Sequence, residues 1–371
     1  MDWNLKTYGG VLYNDFLWFS NNTFNGLFRM NILTKKVEYV DFFPEIPINN
    51  RLTHKKCIFY KDEIIFLPAF SKNIHIYNLK NNSFEIIELV DSNYRITKDI
   101  VSDAVLLDNK IYIFTWLENE PIFILDLNKK SLEKYGCVDE KILKLKIPNN
   151  HLLTRCSCYG KSSICFGILG TNIFVEWNVK NNIFTSTQLE IEDIFSVSSI
   201  ESDVWIITRN NNHIYKLNNN KKLIKYEGDN IEKWNKNTRY YSSVSIFNNK
   251  IFGVPASSKK IVYWENDSFC EIGGDEWKIS NLNFPAFLNT INLGSELWFL
   301  PYSTDGIFSY NESTNSVTYI PFKLENSLIK GIIRREKFEE RLRDGIICED
   351  SEMSFTDYIE FLINNDSKLV L

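Results

Sequence analysis

The 371-residue chain has little of what short catalytic motifs are built from, with four histidines and fifteen glycines in all. It contains no nucleophile elbow, no phosphate-cradling glycine loop and no HExxH pattern, so no short motif announces acyl transfer, nucleotide binding or zinc hydrolysis. No window is apolar for the length a membrane span requires, and the opening MDWNLKTYGGVLYND lacks the charged start and apolar core of a secretory signal. Positive charge is not concentrated either: 42 Lys and Arg are interspersed among 47 Asp and Glu, for a net charge of -5. A nucleic-acid partner needs a basic face, which this pattern does not supply. The seven cysteines are odd in number and scattered, which reads as reduced thiols and a cytoplasmic protein. Cys156 and Cys158, with Cys165 after them, have no second pair or neighbouring histidine, so packing rather than metal binding is expected of them. Neither metal nor cofactor is expected. The abundance of Asn, Lys and Ile points to an AT-rich coding sequence, and with it a bacterial source.

What the chain does have is repetition. An apolar-aromatic-apolar run closing on a polar residue recurs at Leu27-Phe28 to Asn31, Ile74 to Tyr77-Asn78, Ile122-Phe123 to Asp126, Ile173-Phe174 to Asn178, Ile214-Tyr215 to Asn218, Ile261-Val262 to Glu265 and Ile307-Phe308 to Asn311. The closing residues are spaced 47, 48, 52, 40, 47 and 46 apart, the period of four-stranded propeller blades. Within the third repeat, AVLLDNK, IYIFTWL, PIFILDL and SLEKYG are short apolar runs separated by turn residues, which reads as four antiparallel strands. The first turn of each repeat carries Asn, Asp, Gly or another polar residue, as at Asn14-Asp15, Asp108-Asn109, Asn248-Asn249 and Gly294-Ser295. Runs such as Leu17-Trp18-Phe19 and Leu297-Trp298-Phe299 are consecutive rather than alternating, as expected of strands buried on both faces.

The predicted fold class is therefore all-β: one propeller of four-stranded antiparallel blades over 1-322. Seven complete repeats favour seven blades, whereas strand sharing between the first and last repeats would give six. The repeat ends after Phe322, and 323-371 is a charge-dense tail. Its predicted short amphipathic helix near 355-364 has Ser354 as N-cap and Phe355, Tyr358, Ile359 and Leu362 on one face.

The repeat pattern over about 10 to 322 resembles the kelch-like and WD40-like propeller superfamily, in architecture. The double glycines, Gly9-Gly10 and Gly273-Gly274, lie outside the strand where kelch repeats carry theirs, and the WD40 Gly-His and Trp-Asp pairs are missing. The resemblance implies that the second-to-third and fourth-to-first connections gather around one mouth of the central channel, bringing together the long interblade segments at 40 to 56, 91 to 103, 137 to 155, 227 to 243 and 273 to 288. Arg51, Arg95, Arg155 and Arg239 occupy roughly similar places in four of them, with Trp234, Tyr240 and Trp277 nearby. An Arg fork between aromatic walls suits a carboxylate, a phosphate, a sugar or a partner peptide. The alternative is that each Arg bonds carbonyls of a neighbouring loop and locks blades together. His75 and His213 fall in third strands and His54 and His151 in interblade loops, and none forms a catalytic set. Two functions remain: a non-catalytic propeller that recognises a protein or peptide on its loop-rich face, or a small-molecule enzyme such as an epimerase, lyase or cyclase acting on a sugar or acidic metabolite. Nucleic acid and membrane are not expected as partners.

Overall fold

A computed structural model describes residues 3-46, 51-91, 93-117, 122-135, 153-200, 203-218, 221-228, 232-233, 239-273, 285-324 and 331-332. Seven four-stranded antiparallel sheets follow one another along the chain, each built from four consecutive strands. Their first strands are Gly10–Tyr13, His54–Tyr60, Val101–Leu107, Ser157–Tyr159, Ile194–Ile200, Tyr241–Phe247 and Phe287–Asn292, numbered here as blades 1 to 7. From blade 1 to blade 7 each first strand lies against the first strand of the next, so these are the innermost strands. The protein is a seven-bladed propeller. No strand is shared between its ends, which removes the six-bladed alternative.

The grammar read from the repeats has a clear structural cause. Asn14, Lys61, Asp108, Asn248 and Asn249 adopt positive φ of 47 to 63° at the first turns, joined by Gly160 and Gly294 at 63° and 83°. Asn, Asp and Gly tolerate that conformation at least cost. Each second strand is buried almost throughout, as in Ile64, Ile65, Phe66 and Leu67, while the outer Ser83–Glu88 alternates between partly covered and exposed. Apolar clusters fill the space between neighbouring blades, with Trp177, Trp264 and Trp298 fully buried.

The chain divides into a large unit, Asn4–Lys323, and a small one, Met1–Trp3 with Leu324–Leu371. Within the large unit the entering segment stitches the ring: Leu5 N donates to Phe322 O at 2.7 Å, Thr7 N to Pro301 O at 2.8 Å and Asn22 N to Lys6 O at 2.7 Å. In the small unit Gly331 and Ile332 are helical. The helix expected near 355-364 lies outside the described residues. Among the described residues, no helix is long and apolar enough to cross a membrane.

Candidate functional site

The entries to the innermost strands are irregular in a repeated way. In blades 2, 3, 5, 6 and 7 the pairing of first and second strands shifts register at its start: between His54 and Lys56, Val101 and Asp103, Ile194 and Ser196, Tyr241 and Ser243, and Phe287 and Thr290. Such a bulge inserts an unpaired residue and re-aims its side chain. Lys55, Ser102, Phe195 and Leu288, which sit inside four of these shifts, all line one cavity of about 640 Å³. Segments leading into the first strands add Tyr8, Asp99, Arg155 and Arg239, and positions just past the second strands add Phe70, Trp116, Leu169 and Tyr302. All seven blades thus contribute to one mouth.

Besides Lys98 and the hydroxyls of Thr97, Ser102 and Thr154, its polar groups form two sets. In the first, Lys55 Nζ pairs with Asp99 Oδ2 and lies 4.4 Å from the centre of the Tyr8 ring. Tyr8 OH donates to Asp99 Oδ2 at 3.3 Å and accepts from Tyr302 OH at 3.2 Å, and the two rings pack with centroids 4.7 Å apart. The Tyr302–Tyr8–Asp99–Lys55 chain is closed on itself and close to neutral. The second set is two guanidiniums. Arg155 Nη1 donates to Leu288 O at 3.1 Å, across from blade 4 to blade 7. Arg239 sits with its Cζ 3.8 Å from the centre of the Phe195 ring, and its buried Nε has no hydrogen-bond partner within the protein. Neither Arg has a carboxylate partner among the described residues. Asp103, the acid whose charge acts on Arg155, is itself engaged by Lys56 Nζ at 2.6 Å and by Cys156 N at 3.2 Å.

The electrostatic consequences follow from burial. Desolvation, then the charges of Arg155 and Arg209, pull the Arg239 pKa down to about 9, which still leaves it cationic at neutral pH. Arg155 is lowered mainly by desolvation, and so is Lys55, whose partner Asp99 works in the opposite direction. Desolvation pushes Tyr302 up to about 12 and Tyr8 upward too, so both phenols are protonated and act as donors. The mouth therefore holds an excess of partly buried positive charge, flanked by aromatic and aliphatic walls.

Of the residues expected here from sequence, Arg155 and Arg239 line the cavity. Arg51 and Arg95 are exposed and stand outside its lining. Tyr240 is half-buried, its ring 4.4 Å from Lys233 Nζ and its carbonyl accepting from Ala256 N, and it too stands outside the lining. Trp234 and Trp277 lie outside the described residues. Tyr8, Lys55, Asp99, Phe195 and Tyr302 were not anticipated. The signal that could have found them one by one is position, at or just before the opening of a repeat's first strand or just past its second.

The histidines are elsewhere. His54 opens the first strand of blade 2 rather than lying in a loop, and it is fully buried against Phe43 and His75. His75 Nε2 faces the carbonyl of Pro44 at 3.0 Å, which can only accept, so that nitrogen carries the proton. His75 Nδ1 then accepts from His54 Nε2 at 3.0 Å, and His54 Nδ1 accepts from Ser20 Oγ at 2.9 Å. Both rings are neutral. Desolvation takes His54 well below its ordinary pKa and His75 down to about 4. His213 precedes its third strand instead of lying within it, and His151 is outside the described residues. Among the described residues no group of three or more His, Cys, Asp or Glu is placed to hold a metal.

No protein-family model matches the sequence, and no curated protein does. Solved structures match in shape. A catalytically inactive virginiamycin B lyase from Staphylococcus aureus, bearing a histidine-to-alanine change and determined with quinupristin, aligns with a TM-score of 0.62 at 12% identity, over 83% of this chain and 97% of that one. A streptogramin B lyase gives 0.61 at 13% identity, over 86% and 97%. The extracellular domain of a putative one-component system from B. thetaiotaomicron gives 0.59 at 14% identity, over 83% of this chain and 39% of that one. These likenesses show the β-propeller fold. They do not assign the chain to the kelch or WD40 families.

Proposed function

We propose that the protein is a non-catalytic recognition propeller whose channel mouth binds the carboxylate of a protein or peptide partner. The observation that carries this reading is Arg239, a half-buried residue whose buried Nε is unpartnered, beside a second Arg, in a cavity whose acid is already taken by Lys55. Burying charge without a counter-charge is costly, and a bound carboxylate supplies both the charge and the acceptors. The volume of about 640 Å³ falls in the range of ligand-binding clefts. Phe70, Trp116 and Phe195 offer aromatic walls for the part of the partner next to its anion.

The groups present support binding over catalysis. The phenols are protonated, the Lys–Asp pair is self-satisfied, and no His lines the cavity among the described residues. One of the lyases of similar shape is inactive once a histidine becomes alanine. Here a neutral His54–His75 pair lies in the blade interior instead. Among the described residues Cys57 and Cys270 are free thiols, which supports the cytoplasmic location we propose.

Thermal shift with a panel of N-acetyl amino acids and their amides tests the reading. Carboxylates are expected to raise the melting temperature through the linkage that gives about 2.7 kcal/mol at a hundredfold excess over Kd. The amides are expected to be silent, and Arg239→Met is expected to abolish the response. A panel in which no carboxylate binds, or in which amides do equally well, overturns it.

A further inference from the structure

A second cavity, of about 890 Å³, adjoins the mouth: Thr97, Lys98 and Trp116 line both. The mouth alone already suits a small ligand, and a compartment larger than the mouth itself on the other side of Trp116 exceeds what a metabolite-sized acid would fill. The lining of this groove is mixed. Leu89, Leu117, Phe123 and Leu132 supply apolar surface, while Glu88, Asp91 and Lys134 supply charges of both signs. An acyl or aromatic tail laid there would desolvate those polar groups without replacing their hydrogen bonds. A peptide offers amide donors and acceptors along its length as well as side chains for the apolar patches.

We infer that the ligand is the C-terminal end of an extended peptide. Its terminal carboxylate lies on Arg155 and Arg239, its last residues pass Trp116, and an apolar side chain upstream rests on Leu117 and Leu132. The inference rests on the carboxylate reading of the mouth. It adds to that reading the continuity of groove and mouth, and the choice of a chain end over a free acid.

Fluorescence anisotropy with a library of fluorescein-labelled hexapeptides, each carrying a free C-terminus and apolar residues in its last three positions, is the test. Matched C-terminal amides and unlabelled N-acetylleucine serve as the comparison probes. Free-acid hexapeptides are expected to bind, their amides about tenfold or more weaker, which corresponds to 1.4 kcal/mol or more. Leu132→Lys and Leu117→Lys each place a charge on the groove floor. Each is expected to weaken the hexapeptides by about tenfold while leaving competition by N-acetylleucine within about twofold. Arg239→Met weakens both probes. If hexapeptides bind no more tightly than N-acetylleucine, if amides equal acids, or if neither folded groove variant changes hexapeptide affinity, the peptide inference falls while the mouth reading stands. If no hexapeptide and no N-acetyl amino acid binds, both fall.

Discussion

Arg239 separates recognition from architecture. A guanidinium that locked blades together would bond carbonyls on both sides, and Arg155 does so in part through Leu288 O. Arg239 has instead a ring beneath it and an unpartnered Nε. The cation–π contact is worth about 0.5 to 2 kcal/mol, and a Met side chain keeps much of that packing through its own contact with the ring. The neutral histidines make an opposite kind of residue, one that serves the fold and carries a pH liability. In the unfolded chain a His titrates near 6.5, and His75 in the fold titrates near 4. Its folded pKa is depressed, so the unfolded state binds more protons as pH falls below about 6.5, and stability is lost progressively down to about 4. The shift is of the order of 3 kcal/mol for His75. Urea unfolding at pH 7.5 and at pH 5 is expected to show the part of this loss that falls above pH 5, about 2 kcal/mol, and His75→Phe is expected to reduce the difference, the remainder belonging to His54. Equal pH dependence in the variant would place the acid sensitivity elsewhere.

Among the elements, the bulged entries of five innermost strands, four of which place a residue on the cavity, do most to build the mouth. Phe195 is the extra residue of blade 5, and its ring is what Arg239 rests on. Deleting Phe195 lets the strand pair regularly and removes that ring. The expected result is a retained far-UV circular dichroism spectrum with loss of the carboxylate-induced melting shift, while an undiminished shift would show that the bulge does not shape the site. Such bulges are invisible in sequence, because one extra residue in an apolar run changes neither composition nor turn chemistry. The turns were legible for the opposite reason: positive φ at Asn14, Asp108 or Asn248 demands particular residues. The argining-rich entries were half legible. Arg155 and Arg239 stand two residues before their first strands and reach the mouth, whereas Arg51 and Arg95 stand three and six residues before theirs and end in solvent. Asp99, Lys55, Tyr8 and Tyr302 could not be grouped from sequence, since Tyr8 meets Asp99 across 91 positions and Tyr302 across 294.

For the propeller as a whole, the repeat period was legible and the means of closure was not. Blade 7 meets blade 1 without sharing a strand, and the residues before blade 1 do the stitching. Leu5 is fully buried there, and Phe19 packs on Phe322 with centroids 4.7 Å apart. Leu5→Ala is therefore expected to cost about 2 to 5 kcal/mol in chemical unfolding. Because Tyr8 follows three residues later and borders the mouth, the same change is expected to weaken carboxylate binding too. A stability loss below about 1 kcal/mol would mean that the ring closes without this segment. The central claim is that the mouth maintains unpaired positive charge for a ligand at the expense of the empty protein. Calorimetric melting of Arg239→Met beside the native protein, each with and without N-acetylleucine, measures both halves of it. The account predicts that the unliganded variant melts at the same temperature as the native protein or higher, and that only the native protein is stabilised by the carboxylate. A variant that melts well below the native protein, in a native protein indifferent to the carboxylate, would make Arg239 a lock between blades and contradict the account.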